Sequence, residues 1–165
     1  MKSEICSVCL KSGMLCRTCR EKVEKGLISD TDIRVSRILH ELSEHVMALK
    51  DVTLKKVVES EGLLVIMFGR GDAAKMIGKS GLVARRLEKE MGKRVSIVEE
   101  ARDVKEFISN MLHPVPIVGV NVLYRKGAEV LRVLVPENSV SRVPGRNLKE
   151  IVRMLYGKDV EIAGV

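Results

Sequence analysis

The sequence predicts an α+β protein in which one mixed helix-and-strand unit is used twice, behind a small metal-binding segment. Three observations carry the prediction. A glycine-punctuated order of elements recurs, with Phe68 answering to Val135 and Gly78 to Gly145 at a spacing of 67, and Gly92 to Gly157 at 65. Hairpin signals stand at Ser60-Glu61-Gly62 and Lys126-Gly127, each between strand-like runs. All four cysteines lie within the first nineteen residues.

Length and composition fit this plan. A chain of 165 residues with 45% hydrophobic content holds one ordinary domain, or two small ones with an appendage. The expected boundaries are a knuckle over 1–28, a first domain over 29–100 and a second over 101–165. The net charge of +7 and pI near 9.4 favour a polyanionic partner, because Lys and Arg release counterions condensed on a phosphate backbone. Between Arg70 and Arg94 eight basic residues face three acidic ones, so this stretch carries +5 of the +7. With four aromatic residues in all, reading of bases by stacking on exposed rings is disfavoured. No apolar run reaches bilayer length and no secretory leader is recognisable, so the expectation is a cytoplasmic protein with no membrane partner.

The cysteines read Cys6-x2-Cys9, six residues, then Cys16-x2-Cys19. Two such turns present four thiolates that can close a tetrahedron around a soft divalent ion, and the expected ion is Zn2+. Paired disulfides suit an oxidising compartment, and a redox pair is normally a single C-x-x-C beside a βαβ unit. Four protein ligands leave no open position, so the role is structural or adhesive. Gly13 supplies a turn in the spacer, and Arg17, Arg20 and Lys22 are read as solvating the knuckle.

From about Asp30 to Leu49 apolar residues at spacings of three and four predict a helix capped by Ser29 or Asp30. Its "HELSEH" imitates a zinc-protease motif, but His40 and His45 are five apart and about 140° away from each other around a helix. Strands follow at 52–59 and 63–68, a short helix at 71–77, a turn at Gly78-Lys79-Ser80-Gly81, a helix over 82–91 and a strand over 94–98. The second copy repeats this with a helix over 103–112, strands over 116–125 and 129–135, and a short helix over 138–143. A turn at Gly145-Arg146-Asn147, a helix over 148–156 and a strand over 159–163 complete it. The second copy thus loses the second glycine of the turn. His113 before Pro114 reads as a linker between copies, and Met76 and Met91 as core filling.

The turn at 78–81 decides the function class. A nucleotide-phosphate loop needs glycine at position 73, where Ala73 stands, and a strand feeding directly into the loop; here "AAKMI" intervenes. Between two helices, by contrast, paired glycines remove Cβ atoms where a phosphodiester must approach, and the next helix start favours negative charge. This is the geometry of the KH domain, and a hairpin before the helix-turn-helix with one strand after it is the type II order.

Residues from about 30 to 165 resemble the tandem KH module of the NusA transcription factors, above all the short archaeal NusA-like proteins. "AAKMIGKSGLVARRLEKEMGKRVSI" is similar to that family's first motif, and "VLVPENSVSRVPGRNLKEIVRMLYGKDVEI" to its second. The resemblance implies two type II KH domains forming an RNA platform, single-stranded RNA as ligand, and a role in transcription elongation or termination. It departs at Val143-Pro144-Gly145-Arg146-Asn147 and in the knuckle, which is not part of the usual module.

The candidate RNA-binding residues are Ile77, Gly78, Lys79, Ser80 and Gly81, with Arg70, Lys75, Arg85, Arg86 and, in the second copy, Arg146. Ile77 is expected both to close the core and to floor a base. No nucleophile–base set or carboxylate pair presents itself, so the expectation is a non-enzyme. The competing expectation is an assembly factor whose knuckle docks a protein partner while the KH pair serves as scaffold. Nothing in the pattern calls for oligomers, so a monomer is expected.

Overall fold

The computed structural model describes residues 1–78 and 80–165; the candidate Lys79 lies outside the described residues. The chain divides into two compact units, Met1–Val58 with Leu64–Glu100, and Glu59–Leu63 with Ala101–Val165.

In the first unit each C-x-x-C opens a short helix, α1 (Ser7–Ser12) and α2 (Arg17–Glu24), with Cys6 and Cys16 at the caps. A small cluster of Ile5, Cys9, Leu10, Cys19, Ile28 and Ile33 ties this segment to the next helix, and Lys2 makes a parallel bridge to Thr53. Helix α3 (Asp30–His45) starts at a capping box: Ser29 Oγ accepts the Asp32 N–H at 3.1 Å, and the Asp32 carboxylate accepts the Ser29 N–H at 2.8 Å. The helix stops short of the expected Leu49, because Val46 turns extended (φ −116°, ψ 104°) and Met47–Leu49 form a 3-10 turn.

Strands β1 (Leu54–Ser60) and β2 (Leu63–Phe68) follow, then α4 (Ala73–Ile77), α5 (Leu82–Met91) and β3 (Arg94–Glu99), in sheet order β1-β2-β3. One core cluster gathers Val35, Ile38 and Leu39 of α3 with Leu54, Val57, Leu64, Ile66, Phe68, Met76 and Leu87. The α3 stripe therefore closes over the sheet.

In the second unit Asp103 caps α6 (Val104–Leu112), its Oδ1 accepting the Glu106 N–H at 2.9 Å. Strands β4 (Gly119–Arg125) and β5 (Ala128–Val135) pair antiparallel, and β6 (Asp159–Gly164) lies parallel to β5. Lys126 and Gly127 both have positive φ, 50° and 81°, the two-residue turn whose twist matches the flanking strands.

The sequence places a turn at Gly145-Arg146-Asn147, and here the structure corrects it. Helix α7 runs Gly145–Tyr156, so these residues are its first turn. Pro144 presets a helix start with φ −75°, its carbonyl accepts the Leu148 N–H at 2.9 Å, and Asn147 joins Leu148, Ile151 and Val152 on the buried face. The short helix expected over 138–143 is a 3-10 run, Glu137–Arg142. The result is α+β with two three-stranded mixed sheets, the arrangement of tandem type II KH domains.

Candidate metal centre and nucleic-acid interface

The four cysteine Sγ atoms lie within 4.8 Å of one another, with Cys6–Cys9 at 3.3 Å and Cys6–Cys16 at 4.0 Å. A tetrahedral ion with bonds of about 2.3 Å sets its sulfurs about 3.8 Å apart, so the cluster reaches that geometry with shifts of about 1 Å or less. The Cys19 amide donates to Cys16 Sγ at 3.5 Å and, with the neighbouring sulfurs, brings that thiol down to about 7. Cys9 Sγ accepts the Cys16 amide at 3.0 Å, yet burial and the other sulfurs push it up to about 12. Four sulfurs this close resist ionising together, and a divalent cation removes that conflict. The four cysteines can hold a metal ion.

The knuckle is fastened from both sides. Lys22 Nζ donates to the Glu4 carbonyl at 2.8 Å and its carboxylate at 2.9 Å, and Arg37 of α3 donates to the Gly13 carbonyl at 2.6 Å. Lys22 is thus a strut rather than a solvating residue.

In the turn, Gly78 sits at φ 59°, ψ −176° and Gly81 at φ 64°, ψ 25°. The first conformation is open essentially to glycine alone; the second tolerates Asn or Asp. A Cβ on Gly81 would meet nothing within 4 Å, so backbone geometry and not crowding selects glycine there. Ile77 and Leu82 flank the turn, 49% and 56% exposed, while Met76 and Val83 beside them are buried. Contrary to the expectation from sequence, Ile77 is therefore not closed into the core but half-exposed beside the turn. Ser80 is exposed.

Asp72 anchors the approach to the turn. Its Oδ2 accepts the Thr53 N–H at 2.9 Å and its Oδ1 pairs with Lys75 at 3.1 Å. Burial raises the Asp72 carboxyl, but these partners outweigh burial and hold it below the usual carboxylate range. Of the candidate cations, Lys75 is thus engaged, Arg86 pairs with Glu90, and Arg70 just beyond β2 has a partner as well. Arg85 is exposed and makes no ion pair among the described residues. Lys89 has the same standing one helical turn on.

At the equivalent place in the second unit the polar groups are tied to protein partners, Asn147 buried and Arg146 exposed. Arg146 pairs with Glu61 at 3.1 Å, Asn147 Nδ2 donates to Ser60 Oγ at 3.1 Å and the Glu61 carbonyl at 3.0 Å, and Arg142 donates to Ser139 Oγ at 2.9 Å.

No family model matches the chain. It is 27% identical over 111 residues to the "Probable transcription termination protein NusA" of Methanocaldococcus jannaschii, across 65% of this chain and 60% of that protein. The chain is distantly related to an archaeal NusA. It spans 60% of the length of that relative. The crystal structure of APE1850 shares the fold, with a TM-score of 0.63 at 22% identity over 82% of this chain and all of that one.

Sequence reasoning passed over Leu82 and Lys89. Leu82 opens the helix beside the buried Val83 and is itself 56% exposed, and Lys89 follows Arg85 by four. No helix among the described residues is long and apolar enough to cross a membrane.

Proposed function

We propose that this chain is a non-catalytic, NusA-like RNA-binding protein that grips single-stranded RNA at the Gly78–Gly81 turn of its first KH domain. The observation that carries the reading is the turn itself: two positive-φ glycines between helices, bordered by exposed Ile77 and Leu82 and by Arg85 and Lys89, which make no ion pair among the described residues. A phosphodiester approaching the turn meets no Cβ at Gly78 or Gly81, the start of α5 favours its charge, and Arg85 and Lys89 supply displaceable counterion sites. Lys79, Ser80, Arg70, Lys75 and Arg86 are secondary contacts, most of them needing to exchange a protein partner for a phosphate, whereas Arg146, paired with Glu61, stays outside the grip. Zn2+ held by Cys6, Cys9, Cys16 and Cys19 stabilises the knuckle and performs no chemistry on RNA. The protein acts as a cytoplasmic monomer in transcription elongation or termination.

A second reading has its own observation. Val8 and Met14, 68% and 76% exposed on the knuckle, give it an apolar tip suited to a protein partner. In that case the KH pair is a scaffold for an assembly factor.

The test is binding of a fluorescent oligouridylate to the zinc-loaded wild type, Gly81→Asn and Gly81→Asp. Asn is accommodated at this φ and ψ, so the Asn–Asp difference isolates charge at the turn. Affinity lost with Asp and kept with Asn supports the grip; equal affinity for all three moves the RNA elsewhere. Absence of binding by the wild type leaves the assembly reading.

A further inference from the structure

The two copies cover their first strands differently. In the first unit the burial along β1 includes Leu54 and Val57, both in the core cluster with α3. In the second unit no residue of β4 is buried. Val57 and Val122 each stand five residues before their hairpin glycine, yet Val57 is 8% exposed and Val122 40%.

Register shows which face is open. Val122 lies opposite Leu131 and Val120 opposite Val133, so both point to the side of the sheet where Leu131 and Val133 are buried, 3% and 0% exposed. Tyr124 continues the row at 75% exposed. The bare stripe is therefore the outer margin of the helix-covered face. The first helix of this unit is also the shorter one, nine residues in α6 against sixteen in α3, a deficit of about 10 Å at 1.5 Å per residue. In the first unit Ile5, Leu27 and Ile28 lie beside Leu54 and Val57 as well.

We propose that β4 docks an amphipathic helix of a partner protein on this margin, beside α6, where the longer first helix lies in the first copy. The apolar face of that helix packs on Val120, Val122 and Tyr124. Its polar face is acidic, because the exposed Lys105 on α6 and Lys126 at the hairpin have no ion pair among the described residues. Of the acids beside this margin, Glu129 is engaged by Lys158 and Glu106 of α6 by Arg102. An aliphatic strip with a single aromatic ring suits a helix better than stacked bases.

The test uses a fluorescein-labelled, fifteen-residue synthetic helix with leucines at spacings of three and four and glutamates opposite, titrated into the zinc-loaded full chain carrying 15N. Amide shifts confined to Val120–Lys126 and α6 are expected, with affinity at least about ten-fold weaker for Val122→Asp and for a peptide with lysines in place of glutamates. The lysine peptide leaves the protein untouched, so a folding defect in the variant cannot mimic this result. Shifts elsewhere, or none, overturn the proposal. So does a wild-type dimer in light scattering that Val122→Asp makes monomeric, which assigns the margin to a second copy. Oligouridylate moving these amides where the peptide does not assigns it to nucleic acid and equally overturns the proposal.

Discussion

The turn of the first copy and its counterpart in the second begin from alignable residues and end as opposite surfaces. At Gly78–Gly81 two helices are held apart by backbone that only glycine, or glycine with Asn and Asp, adopts, and the rim is exposed. At Val143–Asn147 the separation is gone: a 3-10 run leads through Pro144 straight into α7, and Arg146 and Asn147 hold Glu61 and Ser60. A loss of two residues converts an approachable turn into a helix start whose polar groups are satisfied internally. Repeating a fold does not repeat its site.

The comparison can be broken most easily at the metal. A structural zinc carries about 10 kcal/mol or more of apparent folding energy, so chelation should release α1, α2 and the first turns of α3 to hydrogen exchange while the β4–β5 amides keep their protection. Equal loss in both copies would deny that the knuckle belongs to the first unit.

The RNA contrast is next in size. Gly81→Asp is expected to lower oligouridylate affinity about ten- to a hundred-fold relative to Gly81→Asn, whereas Arg146→Glu changes it by less than about three-fold. Arg85→Ala should flatten the salt dependence by about one unit of slope without changing base preference. These are anisotropy titrations against salt.

Acid sensitivity separates the copies a third way. Asp72 corresponds at the 67-residue spacing to Ser139, and both are buried. The Asp72 carboxyl lies below its ordinary value in the folded state, so the unfolded chain takes up the proton first as pH falls. Its contribution is complete above about pH 4 and disappears below. Asp72→Asn should remove about 1–3 kcal/mol at neutral pH and flatten the acid limb of stability measured by denaturant melts. Ser139→Ala, lacking a titrating group, leaves that limb unchanged. The smallest effect is Arg146→Ala, which breaks an exposed pair with Glu61 and costs less than about 1 kcal/mol.

Much of this was legible in the residues. The period of three and four beginning at Val35, Ile38, Leu39 and Leu42, the glycines at hairpins and helix ends, and the two C-x-x-C pairs located α3, both sheets and the cysteine cluster. The second turn was misread because Gly145 was matched to Gly78, although Pro144 followed by Leu148, Ile151 and Val152 already described a helix start. The pairing of Arg146 was not legible, since it depends on the fold bringing Glu61 within reach. Lys75–Asp72 and Arg86–Glu90, three and four apart along their helices, were open to reading from spacing. Helices α1 and α2 escaped notice because segments this short lack a period, and the small cluster around Cys9 and Cys19 supports them instead.

The most direct test of the asymmetry is amide chemical-shift mapping of the 15N-labelled, zinc-loaded chain with a single-stranded oligouridylate. Shifts concentrated in 77–89, with 143–149 unmoved, are what the contrast between the two turns predicts. Shifts centred on 143–149, or equal in both, would contradict it.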